Sequence, residues 1–434
     1  MKAVTNAQSV SGKLGIPSSL KWGYLGVLFF MIGDGLEMGW LSPYLIDNGL
    51  TIQQSALLFT VYGIMLTISS WFSGVSVEMW GPKKTMTFGF LAFLAGTVMF
   101  LLFGIAENNY SVMLPTYAMR GFGYPLFAYS FLVWVTYRSP QDKLGTAVGW
   151  FWFVFTAGLN VVGAYYSSFI IPRIGELNTL WTSLIFIAIG GLLALVINRD
   201  RFERKRDPHE EGGFKKLWSG ITIVFEYPKV GMGGIVRMIN TTAVFGFVVF
   251  LPTYMIDRIG FTQSVWLQIY GTLFLSNIIF NLIFGVVGDK LGWRNTVMWF
   301  GGVGCGLMTL ALYYVPLWVG PDYWIMTGVA VIFGALLAAY VPLSALIPSL
   351  APDKKGPTMG ILNLGAGLSA FVGPALVGAF INILHAGGLM WLFAILYFIS
   401  AFITKFITLP KTEETAGTER AVSNSHQQLD TIHS

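Results

Sequence analysis

Apolar residues come in long runs from end to end of this chain, interrupted by short clusters of Lys, Arg, Asp, Gly and Pro. A helix rises ~1.5 Å per residue, so a run of about 20 apolar residues crosses the ~30 Å hydrocarbon core of a bilayer. The pattern predicts twelve such spans, over 22–46, 53–77, 84–106, 111–137, 145–171, 179–198, 231–256, 264–289, 294–316, 322–350, 356–384 and 388–409. The fold class expected is therefore all-α, a polytopic membrane protein of twelve transmembrane helices. The fourth, tenth and eleventh stretches are long enough to include some loop.

A polar segment at 199–230 divides the spans into six and six. It opens with the charge run from Arg199 to Asp207 and breaks at Pro208, Gly212 and Gly213. Phe214, Leu217, Trp218, Ile221 and Phe225 then recur at helical spacing beside Lys215 and Lys216, the pattern of an interfacial amphipathic helix. The expected organisation is a tail at 1–21, a six-helix bundle at 22–198, the linker at 199–230, a second bundle at 231–409 and a disordered polar tail at 410–434. The halves repeat. Gly74, Glu78, Gly81 and Lys83 return as Gly285, Asp289, Gly292 and Arg294, and Asp142, Lys143, Gly145 and Gly149 return as Asp353, Lys354, Gly356 and Gly360, all at one offset. Because each half holds an even number of spans, the copies share orientation. Such parallel repeats place a solute site at their interface near the bilayer midplane.

Composition agrees with lipid as the solvent: 55% of the 434 residues are hydrophobic and 11% charged, against about 25% charged in soluble chains. The net charge of +5 reflects Lys and Arg in short loops and implies no nucleic-acid partner. Lys83, Lys84, Arg138, Lys143, the 199–229 cluster, Lys290, Arg294, Lys354 and Lys355 lie in loops on one side, whereas the other side carries Arg173 and Arg258. By the bias of basic loops, both termini and the linker are expected in the cytoplasm. The first residues lack the apolar core of a cleaved signal, so the N-terminus is expected to be retained. Cys305 is alone and sits in an apolar, Gly-rich run, which offers neither a disulfide nor a thiol metal site. No metal or cofactor is expected.

Charges inside the spans are the most informative positions, because burying an ion costs several kcal/mol unless it is paired or hydrated. Asp34 and Glu37 lie in the first span, Arg120 in the fourth and Arg237 in the seventh. Helical rise puts Asp34 ~18 Å from one boundary and Arg120 ~14 Å from the other, so their depths overlap. Asp34, with Glu37, is the expected proton acceptor, held ionised by Arg120 until the pairing changes; the alternative is a static ion pair. Arg237 lies ~9 Å inside its boundary and suits either anchoring or solute contact. Tyr124, Trp150, Trp152, Asn160, Arg237, Asn240, Gln268, Asn277, Tyr340 and Asn363 form the candidate solute-binding set. Tyr62, Thr241, Thr242 and Asn281 are further polar positions in the spans. Amides offer paired donors and acceptors, and Trp or Tyr faces cover CH groups, which suits a neutral polyol or sugar. Gly163–Ala164 and the 365–367 Gly-Ala-Gly step predict close helix contact, and Gly373–Pro374 predicts a kink.

The loop string from Gly74 through Glu78 and Gly81 to Lys83, and its copy from Gly285 through Asp289 and Gly292 to Arg294, resemble the signature of the major facilitator superfamily. The resemblance implies two pseudo-symmetric six-helix bundles and a cytoplasmic latch of these eight residues that holds the halves together when the site faces outward. Glu78, Met79 and Pro82 depart from the usual pattern, which weakens the first copy. Four further strings, 33–37, 120–127, 149–152 and 236–241, are similar to the bacterial polyol permeases for ribitol and D-arabinitol. That similarity, from about Trp22 to Pro410, implies proton-linked uptake of a small polyol by alternating access in the inner membrane, by a monomer whose partners are the solute, the proton and lipid. A small carboxylate is the rival substrate, since Arg120 and Arg237 can bind an anion; that rival predicts Arg120 free of Asp34, whereas the polyol symporter needs them paired. A solute sensor on the same fold is the reading from another class. An enzyme is not expected, because no nucleophile elbow, P-loop or metal-ligand spacing is present.

Overall fold

The computed structural model describes residues 16–140, 143–198 and 222–409. Residues 1–15 of the expected N-terminal tail at 1–21, residues 199–221 of the linker at 199–230, and the whole tail at 410–434 lie outside the described residues. Twelve helical spans, with no β-sheet among the described residues, make up the fold. In chain order they are α1 (Lys21–Gly35, then a short helix Leu41–Asp47), α2 (Ile52–Trp80), α3 (Pro82–Met99, continued by π-helix Phe100–Ile105), α4 (Tyr110–Arg138), α5 (Leu144–Thr156, π-helical Ala157–Val162, then Gly163–Ile174) and α6 (Glu176–Gly191 with Leu192–Ile197). The second half holds α7 (Pro228–Thr253 with Tyr254–Ile259), α8 (Gln263–Leu291), α9 (Trp293–Thr296 through Val297–Gly304 to Cys305–Val319) and α10 (Tyr323–Leu337). The last two, α11 and α12, share the helical run Lys355–Phe406 and part at His385, whose φ of 53° and ψ of −176° are not helical.

Nine described helices are long and apolar enough to cross a membrane by length and composition. The count rises to twelve because α11 and α12 run together in that tally, α4 is diluted by Arg120, Arg138 and tyrosines, and α1 is interrupted. Large apolar side chains such as Phe88, Leu91, Ile185, Leu282, Trp318, Trp324 and Phe402 are exposed, which water would penalise and lipid tolerates. Local signals start several spans. Thr51 and Gln54 form a capping box at the head of α2, Thr262 caps α8, and Asp322 caps α10.

Two expectations about the helices change, and of the three long stretches only the tenth includes loop, because α4 and α11 are helical throughout. The first span is not continuous over 22–46: the backbone turns at 36–40, where Gly39 takes φ +88°, a conformation that a side chain would strain. The tenth span ends in irregular pieces at 338–350, interrupted by Pro342 and Pro348, as its length suggested. The break in the last helical run is at His385 and not at Gly373–Pro374, where helical dihedrals continue. Gly373 instead allows close approach, since a Cβ there would sit 2.3 Å from the Thr242 carbonyl oxygen on α7.

The two halves meet at one end and part at the other. Ser42 donates to the Val249 carbonyl (2.6 Å), Trp266 to that of Gly39 (3.0 Å), Gln263 to Glu176 (2.9 Å), and Tyr165 pairs with Thr272 (2.6 Å). Nearer mid-depth, Thr67 on α2 donates to Gly367 on α11 (2.7 Å), and a Cβ on Gly63 would meet the Ala370 carbonyl at 2.3 Å. Towards the end that carries the basic loops, beyond the Thr67–Gly367 contact, no hydrogen bond joins the halves among the described residues. A cleft between the halves therefore opens to the basic end and is closed at the opposite one.

Candidate functional site

The break in α1 sets two acids at the centre of the first half. Asp34 sits in its last helical turn and Glu37 in the turn that follows, so both are presented where backbone order changes. Irregular backbone at membrane depth is tolerated where protein buries it, and such breaks mark sites in transporters. Arg120 on α4 reaches both acids: its Nη1 is 2.8 Å from Glu37 and its Nη2 is 3.4 Å from Asp34. All three are buried. The Tyr117 hydroxyl donates to Glu37 at 2.7 Å, and the Tyr62 hydroxyl lies 3.0 and 3.2 Å from the two Asp34 oxygens. The guanidinium is packed among the rings of Phe93, Phe100 and Tyr117, with centroids 5.1, 5.7 and 5.0 Å away. Cation–π attraction partly replaces lost water on those faces.

The two acids are not equivalent. Glu37 holds the short, charge-assisted bond to Arg120 together with the short bond from Tyr117, while Asp34 has the longer ion pair and the longer tyrosine contact. One guanidinium cannot neutralise two carboxylates, so the cluster carries one surplus negative charge when both are ionised. Asp34, the more weakly held, is the acid that a proton would neutralise at least cost.

Arg237 lies across the halves on α7. It is half-buried and, among the described residues, has neither ion-pair nor hydrogen-bond partner. Tyr129 on α4 is within its electrostatic reach. The Tyr129 hydroxyl pairs with that of Tyr124 at 3.1 Å, and its ring packs on Trp152 (6.0 Å) and Phe155 (5.9 Å). Trp152 is 41% exposed. Arg237, Tyr129 and Trp152 thus lie together where the halves face each other, with Tyr124 buried behind Tyr129.

Other candidates separate by location. Asn240, one turn beyond Arg237, is buried with its Oδ1 unpartnered. Asn363 on α11 is exposed, and Asn160 and Gln268 are half-buried. Trp150 packs against Phe153 at 5.4 Å, on a different face of α5 from Trp152. Asn277 donates to the Gly334 carbonyl at 3.2 Å and joins α8 to α10. Thr241 pairs with Ser369 at 2.7 Å across α7 and α11. Tyr340 is buried within the second bundle, paired with Ser400 at 2.6 Å and facing Tyr397, so it is placed in packing and not beside the charged cluster. The sequence reading missed Tyr117 and Tyr129, whose roles rest on contacts that no local motif encodes.

At the basic end the twin loop strings have twin geometry: Gly81 and Gly292 turn with φ +82° and +86°. Lys83 donates to the Asn198 carbonyl at 3.4 Å and Asp289 accepts from Trp293 at 2.8 Å, both within their own half. Arg294 is half-buried, and the side chain of Glu78 lies outside what the structure describes. The implied latch between halves is therefore not engaged through Lys83 or Asp289, in keeping with a cleft open at that end.

The sequence matches the Major Facilitator Superfamily profile over residues 23–304 and 268–430. The chain belongs to this superfamily. It is 57% identical over 421 residues to the Alpha-ketoglutarate permease of Bacillus subtilis (strain 168), covering 96% of each chain. It is 38% identical to the D-arabinitol transporter and to the Ribitol transporter of Klebsiella pneumoniae, over 91% of this chain and 93% and 92% of theirs. A crystal structure of a D-xylose-proton symporter shares the fold with a TM-score of 0.70 at 13% identity, covering 91% of this chain and 97% of that one. As a member of this superfamily the protein is a secondary transporter and not an enzyme.

Proposed function

We propose that the protein imports a small dicarboxylate such as 2-oxoglutarate together with protons, across a bacterial inner membrane with the basic end in the cytoplasm. The observation that carries this reading is the unpartnered Arg237 guanidinium on the cleft wall. A cation left alone at membrane depth costs several kcal/mol, and a neutral solute would leave it so. A carboxylate gives it a bidentate, charge-assisted partner. The relative at 57% identity is named for a substrate of that kind.

Charge counting links the solute to the proton. With Asp34 ionised, the Asp34–Glu37–Arg120 cluster is −1 and Arg237 is +1, so the region is balanced when empty. With Asp34 protonated, the cluster is neutral and Arg237 remains as an attractor for an anion. Proton and anion therefore each favour the other's binding, and that reciprocity is the thermodynamic basis of symport. The pairing of Arg120 with Asp34 at 3.4 Å is the arrangement expected of the polyol symporter and not of a carboxylate held by Arg120; a carboxylate held by Arg237 is compatible with it. The basic loops support the orientation.

A neutral polyol is the second reading. It is favoured by the unpartnered Asn240 Oδ1, which suits a hydroxyl donor, by the exposed Asn363 amide, and by the polyol transporters at 38% identity. Uptake of labelled 2-oxoglutarate and ribitol into proteoliposomes, with and without an inward proton gradient, separates the two. Gradient-driven entry of 2-oxoglutarate is expected. Gradient-driven entry of ribitol alone would reverse the substrate assignment.

A further inference from the structure

Asp34 is fully buried, yet the proposed function needs a proton to reach it from the cleft. A line of tyrosines leads there. Tyr129 stands on the cleft wall near Arg237 and its hydroxyl pairs with Tyr124 at 3.1 Å. The Tyr124 ring is stacked on that of Tyr62, with centroids 6.4 Å apart and planes at 18°. The Tyr62 hydroxyl then meets Asp34 at 3.0 Å. Two of the three links are hydrogen-bonded. The middle one, from Tyr124 to Tyr62, is not, because Tyr124 is turned to Tyr129.

We infer that Tyr124 is a proton switch between the cleft and Asp34, open while its hydroxyl donates to Tyr129 and closed when that hydroxyl accepts from Tyr129 and donates to Tyr62, directly or through one water. This deepens the proton-coupled reading above and rests on it. In the closed arrangement the Asp34 carboxylate takes the Tyr62 phenolic proton as Tyr62 takes one from Tyr124, Tyr124 from Tyr129, and Tyr129 from hydronium in the cleft. One proton enters, the carboxylate becomes the acid, and every tyrosine ends neutral. Hydroxyl chains with shared polarisation act together in this way, and a single break in one stops it. Tyr117 is bonded to Glu37 and lies off the line.

The test is the ratio of gradient-driven accumulation to equal-pH counterflow, measured for the full-length chain in proteoliposomes with a lumenal pH dye. Tyr124→Phe removes one hydroxyl at nearly constant ring volume. Its accumulation-to-counterflow ratio is expected to fall at least tenfold, with proton entry falling in step. A ratio within twofold of wild type overturns the switch, including the case where both rates drop together. Should Tyr124→Phe lack measurable counterflow, Tyr129→Phe at the cleft wall is judged by the same ratio. Wild type that couples ribitol and not 2-oxoglutarate defeats the substrate reading while the ratio for ribitol still decides the switch. Wild type that moves solute with no proton defeats both.

Discussion

Replacing Arg237 by Gln removes the charge and leaves an amide donor on a shorter stem. If a substrate carboxylate sits on this guanidinium, the loss is that of a charge-assisted hydrogen-bonded pair. Hydrogen bonds to charged groups contribute about 1.5–3 kcal/mol each, and removing one partner of a buried pair costs about 3–5 kcal/mol. Arg237 is half-buried, so the lower part of that span applies, about 2–3 kcal/mol. At about 1.4 kcal/mol per decade this is a loss of roughly 30- to 150-fold in affinity for 2-oxoglutarate. Trp152 packs on Tyr129 beside the site and supplies an intrinsic fluorescence reporter. Titration of purified Arg237→Gln and Arg237→Lys should show the Gln variant weakened by that factor and the Lys variant by less, since a point charge replaces a fork. An Arg237→Gln chain that binds 2-oxoglutarate within threefold of wild type would refute the placement of the carboxylate.

Three further outcomes follow from the geometry. Arg120→Met leaves Asp34 and Glu37 buried with no cation and should destabilise by about 3–5 kcal/mol, read as earlier thermal unfolding in detergent; adding Asp34→Asn should recover part of it, and equal stability of both variants would contradict the cluster. Glu176→Cys with Gln263→Cys, in a Cys305→Ala background, should cross-link the closed end, because the native side chains meet at 2.9 Å. The linked chain should lose transport while Asn363→Cys stays open to thiol reagents added on the basic side; protection of that cysteine would contradict a cleft open there. Gly63→Leu places carbon where the Ala370 carbonyl already lies 2.3 Å from a bare Cβ position, so it should wedge α2 from α11 and reduce uptake at least tenfold, with wild-type uptake the contrary result.

Much of the fold was legible because lipid imposes a simple rule on the chain. Runs of apolar residues and a repeated loop string were enough to predict two bundles of six spans. The pairing of Arg120 with the acids of α1 was legible for the same reason, since isolated charges in hydrocarbon must find one another. What could not be read was which acid holds the guanidinium more tightly. That depends on the turn at 36–40, which swings Glu37 onto Arg120 at 2.8 Å and leaves Asp34 at 3.4 Å. Tyrosines were the hardest residues to sort. Tyr340 and Tyr129 are both amphipathic residues in apolar spans, yet one is closed off by Ser400 and the other faces Trp152 on the cleft wall. Helical spacing separates faces but does not say which face meets water, a partner helix or lipid. Strings such as 236–241, which carry the likeness to polyol permeases, do not by themselves choose between a polyol and a carboxylate, and Arg237 gains its meaning only once it is seen to lack a partner among the described residues.

The most direct measurement is lumenal acidification during 2-oxoglutarate entry, recorded for wild type and Asp34→Asn in matched proteoliposomes. Wild type should acidify the lumen in proportion to solute entering, and Asp34→Asn should exchange solute with no acidification and no accumulation. Acidification by Asp34→Asn at the wild-type rate would contradict the assignment of the proton to Asp34.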